Sequence, residues 1–393
     1  MFILEEPMSR FRVLGAALLL LSAAACGGGG GEPSAAPATD LGAVVPVEGC
    51  GPDSYVDPAD LSPDRKIARC EAGTPAAQPL KEPATIRMTS ASRSSSLAPI
   101  FVGMAQGEFE KENLKIEFSV LPFADAMPQL AAGRVDVSYG GTEAGLFNAV
   151  SQGLDIKWVL GNFVEPKAAD LSQPQTGLWA RRDIFSDPAD PDLKELKGKT
   201  LGSTVGAASA IAYPMDKALR EHGITLGDME IKQLPAADLM TALSNKAIDT
   251  AWLLDPYWLA AADQPDSYVL VGGQPAGEPL GGFYAGKSMI EERPEVLQAF
   301  VRAYIRTVNT YLDGDYIKDD KVLDAMAEGT QQPRDSLTRT PSLTFDWEIR
   351  QGTGESEQKV FIAFKTVKYA DVIAEDRYVD RSFYARAVGH SAS

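Results

Sequence analysis

Residues 121–136 read LPFADAMPQLAAGRVD, and residues 234–249 read LPAADLMTALSNKAID. Both fit the pattern L-P-x-A-D-x-M-x-x-L-x-x-x-x-[V/I]-D without a gap, at a constant offset of 113 residues. Each copy holds a short helical pattern and lies between two segments that are predicted to be strands. These strands are 115–120 and 135–139 for the first copy, and 229–233 and 248–254 for the second. The sequence therefore predicts one β-α-β unit that is used twice, once in each of two lobes.

Strands that alternate with helices predict parallel or mixed sheets flanked by helices, which is the α/β class. A period of 113 residues is far too long for a solenoid, so two lobes with a cleft between them are the predicted architecture. Chance similarity between two α/β units is the alternative. In open parallel sheets, ligands bind outside the carboxyl ends of the strands, and candidate binding residues are expected there.

The N-terminus has the layout of a secretory signal peptide, predicted here over residues 1–25. Two arginines precede the apolar run 13–25, which is shorter than the roughly 20 residues that a membrane-spanning helix needs. The run ends in LSAAAC, which resembles the lipobox of bacterial lipoproteins, and this resemblance implies that Cys26 is acylated. A short buried helix is the alternative, and translation from Met1 or from Met8 stays open.

Charge and composition restrict the partners. The chain has 393 residues and a net charge of −17, which opposes binding to nucleic acid and adhesion to anionic lipid by charge alone. Residues 26–82 are rich in glycine, proline, alanine and aspartate, a composition that does not build a core. They are predicted to form a flexible tether between a membrane anchor and the folded body.

The chain has three cysteines and two histidines. If Cys26 is acylated, Cys50 and Cys70 remain, in an exported protein where disulfides persist. A bond between them is predicted and would stabilise the fold by about 3 kcal/mol; two free thiols are the alternative. Neither His222 nor His390 is close to a cysteine in sequence, so neither a metal site nor a cofactor is predicted.

Four stretches of the chain resemble a known family. They are APIFVGMAQGEFEKENLKIEF (98–118), LAAGRVDVSYGGTEAGLFNAVSQGLDIKWVLG (130–161), LKELKGKTLGSTVGAASAIAYPMDKALREHGI (193–224) and IKQLPAADLMTALSNKAIDTAWLLDPY (231–257). The family is that of the solute-binding proteins of bacterial ABC importers for nitrate, sulfonates, taurine and thiamine-type pyrimidines, the NMT1/THI5-like proteins. The resemblance runs from about residue 84 to the end and weakens after residue 300.

This resemblance implies a two-lobed periplasmic-binding-protein fold with two strands that cross the hinge, near 177–181 and 282–286. The predicted lobes are 83–180 for the first part of lobe 1, 181–284 for lobe 2, and 285–393 for the return to lobe 1 with C-terminal helices. The resemblance also implies an exported, lipid-anchored monomer that delivers a small molecule to an ABC permease with a separate ATPase.

Two strand-to-helix junctions in the first lobe are candidate ligand-binding sites. The first, TSASRSSSLAP (89–99), offers hydroxyls at Ser92, Ser94 and Ser95 beside exposed helix N–H groups, and an arginine as a clamp or a solvated loop residue. The second is YGGTEAGLF (139–147). Here Gly141 allows close approach of the backbone, Thr142 can cap the following helix, and Glu143 lies in the first turn. For each residue, plain helix capping is the alternative to ligand binding.

The second lobe provides two further junctions. LGSTVGAASAIAY (201–213) matches the position at which the family places a ligand-facing helix N-terminus; its candidate residues are Ser203, Thr204, Gly206, Ala207 and Ser209. TAWLLDPYW (250–258) contributes Asp255, as a ligand acceptor or a helix cap, and Trp258 as an aromatic wall. Trp179, on a predicted crossing strand, is the last candidate. An ordinary place in the core is the alternative for both tryptophans.

The function predicted from these residues is capture of a solute, not catalysis. Two carboxylates favour a ligand with N–H groups or positive charge, whereas helix N-termini and hydroxyls favour an anionic end. A sulfonate or taurine-like solute is predicted, with a pyrimidine or other heterocycle, or nitrate, as alternatives. Leu193 stands where a P-loop needs glycine, and no G-x-S-x-G elbow occurs, so an enzyme is not predicted. A purely structural lipoprotein is a further alternative.

Overall fold

The computed structural model describes residues 41, 43–62, 65–165, 170–204, 206–274 and 279–392, all within the unit Thr39–Ser393. The predicted signal peptide 1–25 and the acylation site Cys26 lie outside the described residues.

Within this part of the chain there are eleven strands and eleven α-helices, which alternate only in parts of the sequence. The strands are β1 (Ala84–Ser90), β2 (Leu114–Val120), β3 (Val137–Gly140), β4 (Ile156–Val164), β5 (Gly177–Arg181), β6 (Thr200–Ser203), β7 (Glu230–Gln233), β8 (Thr250–Leu253), β9 (Tyr268–Gly273), β10 (Pro279–Gly286) and β11 (Thr344–Phe345). The helices are α1 (Ala98–Ala105), α2 (Phe123–Ala131), α3 (Ala144–Ser151), α4 (Ala212–Arg220), α5 (Ala236–Ser244), α6 (Leu259–Ala262), α7 (Pro294–Tyr311), α8 (Asp320–Thr330), α9 (Arg334–Leu337), α10 (Thr353–Ala363) and α11 (Ser382–Ala387).

The strands form two mixed sheets, one in each lobe. The first has the order β11-β4-β10-β3-β1-β2, and the second has the order β7-β6-β8-β5-β9. In each sheet one strand, β10 or β5, runs antiparallel between two neighbours. Apart from β11, the two sheets have the same topology: the order β4-β10-β3-β1-β2 in the first corresponds to β9-β5-β8-β6-β7 in the second. The predicted α/β class with two lobes is confirmed.

The two lobes repeat one unit at the offset seen in the sequence. Helices α2 and α5 begin and end 113 residues apart, as do β3 and β8. The aspartate that ends each motif has the same role in both lobes. Asp136 accepts from the backbone N of Arg87 at 2.8 Å, and Asp249 accepts from the backbone N of Thr200 at 3.0 Å. The predicted duplication of a β-α-β unit is therefore present in the fold, down to its hydrogen bonds.

The chain changes sheet earlier than predicted at both crossings. Strand β5 pairs only in the second sheet and β10 only in the first, so the chain changes sheet before Gly177 and before Pro279. The predicted boundaries at 180 and 284 fell inside these strands. The physical reason is that each is the first strand after its crossing and is hydrogen-bonded on both sides to its new sheet.

The C-terminal region packs largely against the first lobe. The long helix α7 packs against α1 and α11 and is buried along most of its length. Helix α10 also contacts α4 of the second lobe. No helix in the described part of the chain combines the length and the apolar character needed to cross a membrane.

Residues 43–62 and 65–82, which we call the strap, lie against the first lobe. The backbone N of Cys70 donates to Asn309 Oδ1 at 3.1 Å, and Asn309 donates to the carbonyl of Thr74 at 3.0 Å. Arg65 is buried and forms ion pairs with Asp346 and Glu348. These contacts correct the predicted flexible tether over 26–82: in its described part, polar pairing with the first lobe replaces the missing apolar core.

The strap is also closed on itself by a covalent bond. Cys50 and Cys70 form a disulfide with an S–S distance of 2.12 Å, as predicted. The bond closes a loop of 20 residues, which by chain entropy stabilises the folded state by about 3 kcal/mol.

Candidate ligand-binding site

The four predicted junctions follow two pairs of equivalent strands. The first junction follows β1 and the third follows β6, while the second follows β3 and the fourth follows β8. Strands β1 and β3 are parallel neighbours in the first sheet, and β6 and β8 are parallel neighbours in the second. Their carboxyl ends therefore bring two junctions together in each lobe.

The first and fourth junctions meet across the lobes. Ser95 Oγ donates a hydrogen bond of 2.7 Å to Asp255 Oδ2. The other carboxylate oxygen of Asp255, Oδ1, is buried and has no hydrogen-bond partner among the described residues. The contact corrects the idea of Asp255 as a plain helix cap, because α6 begins only at Leu259.

The second and third junctions meet in the equivalent way. The backbone N of Ala144 donates to the carbonyl of Ala208 at 2.8 Å. The offset of 113 relates Ser95 to Ala208 and Asp255 to Thr142, two residues before Ala144, so this contact lies close to the position that corresponds to the Ser95–Asp255 contact. A Cβ added to Gly141 would lie 2.4 Å from Ala210 Cβ. The glycine thus allows close approach of the opposite lobe.

Glu143 occupies the N-cap position of α3, but its carboxylate caps no backbone N–H. The prediction that Thr142 caps this helix is wrong; Thr142 precedes the cap and is buried. Burial of the Glu143 carboxyl raises its pKa to about 7, because no described cation offsets the loss of hydration. A partly buried acid without a counter-charge is a candidate partner for a cationic or N–H-bearing group.

A polar network beneath the first junction fixes Ser95. Asn162 is fully buried and donates to the carbonyl of Ser96 at 2.9 Å and to the hydroxyl of Tyr139 at 3.1 Å. The hydroxyl of Tyr304, on α7, donates to Asn162 Oδ1 at 2.8 Å. The short helical turn 95–97 is therefore held in place by strands of the first sheet and by the C-terminal return.

The other residues of the first junction have mainly structural surroundings. Ser94 Oγ pairs with Ser96 Oγ at 2.6 Å, and Ser92 is exposed. Arg93 donates to the carbonyl of Gly329 at 2.8 Å and lies over the ring of Phe118, 4.7 Å from its centroid. Arg93 is thus committed to packing within the first lobe.

The third junction provides small residues and one unsatisfied hydroxyl. Ser203 is fully buried at the end of β6, and Thr204 and Ala207 are half-buried. Gly206 lies beside Gln233, whose Oε1 would be 3.4 Å from an added Cβ. Ser209 is only 5% exposed, and its Oγ has no hydrogen-bond partner among the described residues.

Both tryptophans proposed as cleft walls contribute to the core of the second lobe. Trp179 and Trp258 are buried in one hydrophobic cluster with residues of α5, β8 and β9. The indole N–H of Trp179 donates to the carbonyl of Gln175 at 3.0 Å. Trp258 anchors the turn that presents Asp255, since its backbone N donates to the carbonyl of Leu254 at 3.3 Å.

The chain resembles known proteins in both sequence and fold. The profile of the NMT1-like family matches residues 81–322, which is more than half of the chain. The chain belongs to the NMT1-like family. A comparison with curated protein sequences found no match.

Solved structures that resemble this NMT1-like protein share its fold at low sequence identity. The alkanesulfonate-binding protein SsuA from Xanthomonas axonopodis pv. citri bound to MOPS is 16% identical, with a TM-score of 0.56 over 77% of this chain and 100% of that one. The periplasmic aliphatic sulphonate binding protein SsuA from Escherichia coli is also 16% identical, with a TM-score of 0.56 over 77% and 99%. The periplasmic nitrate-binding protein NrtA from Synechocystis PCC 6803 is 12% identical, with a TM-score of 0.55 over 78% and 88%. The periplasmic-binding-protein fold is thereby confirmed.

The structure of this NMT1-like protein adds polar residues that the sequence did not single out. Glu165 follows β4, and burial raises the pKa of its carboxyl to about 7. Gln274 follows β9, is buried, and has an unpartnered Oε1 among the described residues. Both begin a crossing between the lobes. Each residue directly follows an apolar strand, and this position was the available signal. Neither strand leads into a helix, so the predicted strand-to-helix junctions did not include these two residues.

The described residues of the NMT1-like chain contain no group of three or more His, Cys, Asp or Glu side chains placed to hold a metal ion. The site can form hydrogen bonds and exclude water at the contacts between the lobes.

Proposed function

We propose that this protein is the solute-binding component of an ABC importer. A small polar organic solute enters between the lobes, and the lobes close over it at the two equivalent contacts. Binding selects the closed state because the solute touches both lobes only there. The solute proposed from the sequence is of the taurine or sulfonate type, with a pyrimidine-like heterocycle or nitrate as the alternatives.

One observation supports this proposal above the others. The contact between Ser95 and Asp255 joins side chains of opposite lobes at the carboxyl ends of their strands, and it leaves Asp255 Oδ1 buried with no partner in the described part of the chain. A buried carboxylate oxygen without a donor is costly. A solute that donates to it would stabilise the closed arrangement.

The proposed partners follow from the same function. The protein is anchored outside the cell membrane through acylated Cys26, acts as a monomer, and docks in its closed form on a permease whose ATPase is a separate subunit. The names of the similar proteins support an extracytoplasmic binding role. The ordered strap leaves only the residues before it to act as the tether.

Thermal and scattering measurements test the proposal. Residues 43–393, which include the strap and its disulfide, are titrated with taurine, ethanesulfonate, nitrate and aminopyrimidines. One of these solutes is expected to raise the melting temperature and to reduce the radius of gyration. Solute binding without compaction would contradict closure, and the absence of both effects for every solute would contradict the proposal.

A further inference from the structure

We infer that the solute of this site carries a cationic N–H group, an ammonium, amidinium or guanidinium, which donates to Asp255 where Ser95 meets it. The inference rests on the proposed function and narrows its solute class. It separates solutes with a basic nitrogen from sulfonates and nitrate that have none.

The protein supplies a hydrogen-bond donor to only one of the two carboxylate oxygens of Asp255, as far as the described residues show. Its Oδ2 accepts from Ser95 Oγ at 2.7 Å, and its Oδ1 is buried with no donor among the described residues. Burial raises the pKa of this carboxyl above its ordinary value, and the hydrogen bond from Ser95 opposes the rise. In its ionised form the carboxylate is an acceptor only, so its missing partner is then a donor. A charged N–H donor fits best, since charge-assisted hydrogen bonds are roughly twice as strong as neutral ones.

In the four junctions the acids have no described cation beside them, and the one base is engaged elsewhere. Their segments, 89–99, 139–147, 201–213 and 250–258, contain two acids, Glu143 and Asp255, and one base, Arg93. Arg93 is used by the carbonyl of Gly329 and the ring of Phe118. The aromatic group near Asp255, Tyr316, is neutral, and its hydroxyl accepts from the backbone N of Leu343 at 2.9 Å. An anion without N–H groups would be repelled here with no cation to hold it.

A second observation indicates that a ligand completes this place. Ser209 lies next to Ala208, whose carbonyl forms the other contact between the lobes. Its hydroxyl is buried and unpartnered among the described residues. Buried polar atoms are almost always hydrogen-bonded in native proteins, so Ser209 Oγ, like Asp255 Oδ1, is a place for a polar partner at a junction of the second lobe. Hydroxyl and backbone N–H groups can donate hydrogen bonds to an anionic end of the same solute, so a zwitterion is compatible with the site.

Matched solutes test the inference. Taurine is compared with isethionate, in which a hydroxyl replaces the ammonium group, and benzamidine and agmatine are compared with nitrate and ethanesulfonate. Affinities are measured by isothermal titration calorimetry on residues 43–393. At least one N–H cation is expected to bind at least about tenfold more tightly than its matched anion or neutral analogue.

Two variants locate the effect. Asp255→Asn keeps the size and removes the charge, and it is expected to weaken binding of the N–H solute by about 10–100-fold. Asp238→Asn removes an exposed carboxylate from the first turn of α5 and is expected to leave the affinity unchanged. Circular dichroism melting checks that both variants fold.

Each outcome decides between the two proposals. If no N–H solute binds, or if Asp255→Asn binds it as tightly as the unchanged chain, the inference is overturned. Should isethionate, ethanesulfonate or nitrate then bind with compaction, the transport function stands without the cationic solute. If neither set of solutes binds, both proposals are lost.

Discussion

Two regions of this molecule bury carboxylates: one pairs them with arginines, and the other places no described cation beside them. Under the strap, Glu108 and Glu112 are almost completely buried, yet Arg306 donates to both, at 2.6 and 2.9 Å. Arg302 adds a bond of 2.7 Å to Glu112. Between the lobes, Glu143 and Asp255 have no described cation beside them. A fully paired cluster stabilises the native fold, whereas an unpaired one leaves interaction energy for a ligand.

The pKa values follow this difference. Burial would raise the pKa of Glu108, but hydrogen bonds from Lys111, Arg306 and Tyr311 outweigh it and hold the pKa below its ordinary value. At Glu143, burial acts alone and raises the pKa to about 7. The cost of dehydrating a carboxylate is thus offset by hydrogen bonds at Glu108 and is not offset at Glu143.

Breaking the paired cluster should have the largest effect. Arg306→Met removes the donor shared by two buried carboxylates and also the bond to the carbonyl of Pro75. We expect the free energy of unfolding to fall by about 3–5 kcal/mol, because the acids stay buried without their main partner. Urea denaturation measures it; a loss below about 1 kcal/mol would show that the cluster is not what holds the strap.

The strap can also be loosened covalently. Replacing Cys50 and Cys70 together by serine should lower the free energy of unfolding by about 3 kcal/mol, the chain-entropy value for a 20-residue loop. Urea denaturation of the variant, and of the unchanged chain with and without reductant, provides the comparison. Equal midpoints in all samples would argue that the strap is held by its ion pairs alone.

The unpaired region is tested by pH. The folded pKa of Glu143, about 7, lies above its ordinary value of 4.5, so the unchanged chain loses stability as pH rises between these values. Glu143→Gln should therefore gain stability relative to the unchanged chain over this window, on the order of 1 kcal/mol because the group is partly solvated.

Glu108→Gln is the matched comparison, with the opposite sign. The pKa of Glu108 is lowered, so its contribution is complete above the ordinary value of 4.5 and is lost as pH falls through the folded pKa. The cost of the substitution should be largest near neutral pH and should shrink in acid. Urea midpoints relative to the unchanged chain are measured at about pH 5 and 8 for Glu143→Gln and at about pH 3 and 6 for Glu108→Gln. If the Glu108→Gln midpoint also rose relative to the unchanged chain at the higher pH, the contrast would be refuted.

The smallest effect is expected where an ion pair is exposed. Lys115 and Glu117 lie 2.7 Å apart on β2, but both side chains are more than half exposed. Lys115→Met should change the free energy of unfolding by less than about 0.5 kcal/mol, because solvent and salt screen the pair. The urea midpoint measures this, and a loss comparable to that of Arg306→Met would mean that burial does not decide the value of an ion pair here.

Local patterns made much of the fold predictable. The repeated motif located α2 and α5 and the strands around them, because the side chains that define the pattern also form the unit's turns and core. The strand-to-helix junctions were predictable for the same reason. Crossing points were not, since β5 and β10 differ from their neighbours only in the sheet that they join, which no local pattern records.

The candidate site was predictable in its parts but not in its pairing. Ser95, Glu143, Ser209 and Asp255 were recognised as polar residues at strand ends, where ligands bind. That Ser95 meets Asp255 depends on how the two lobes face each other. Glu165 and Gln274 each follow a strand whose next element is another strand, so the search for strand-to-helix junctions did not select them.

By itself, the sequence determined the repeat, the α/β class and the family, because these depend on spacing and residue type along the chain. It predicted the pairing of Cys50 with Cys70 but left two free thiols open, and the structure shows the bond. Only the tertiary structure decided which acids are neutralised and which are not. Glu108 and Asp255 are the same kind of group in the sequence. Arg306, almost two hundred residues away in sequence, neutralises Glu108 and gives it a structural role. Asp255 receives one hydrogen bond from the opposite lobe, and its Oδ1 has no partner among the described residues.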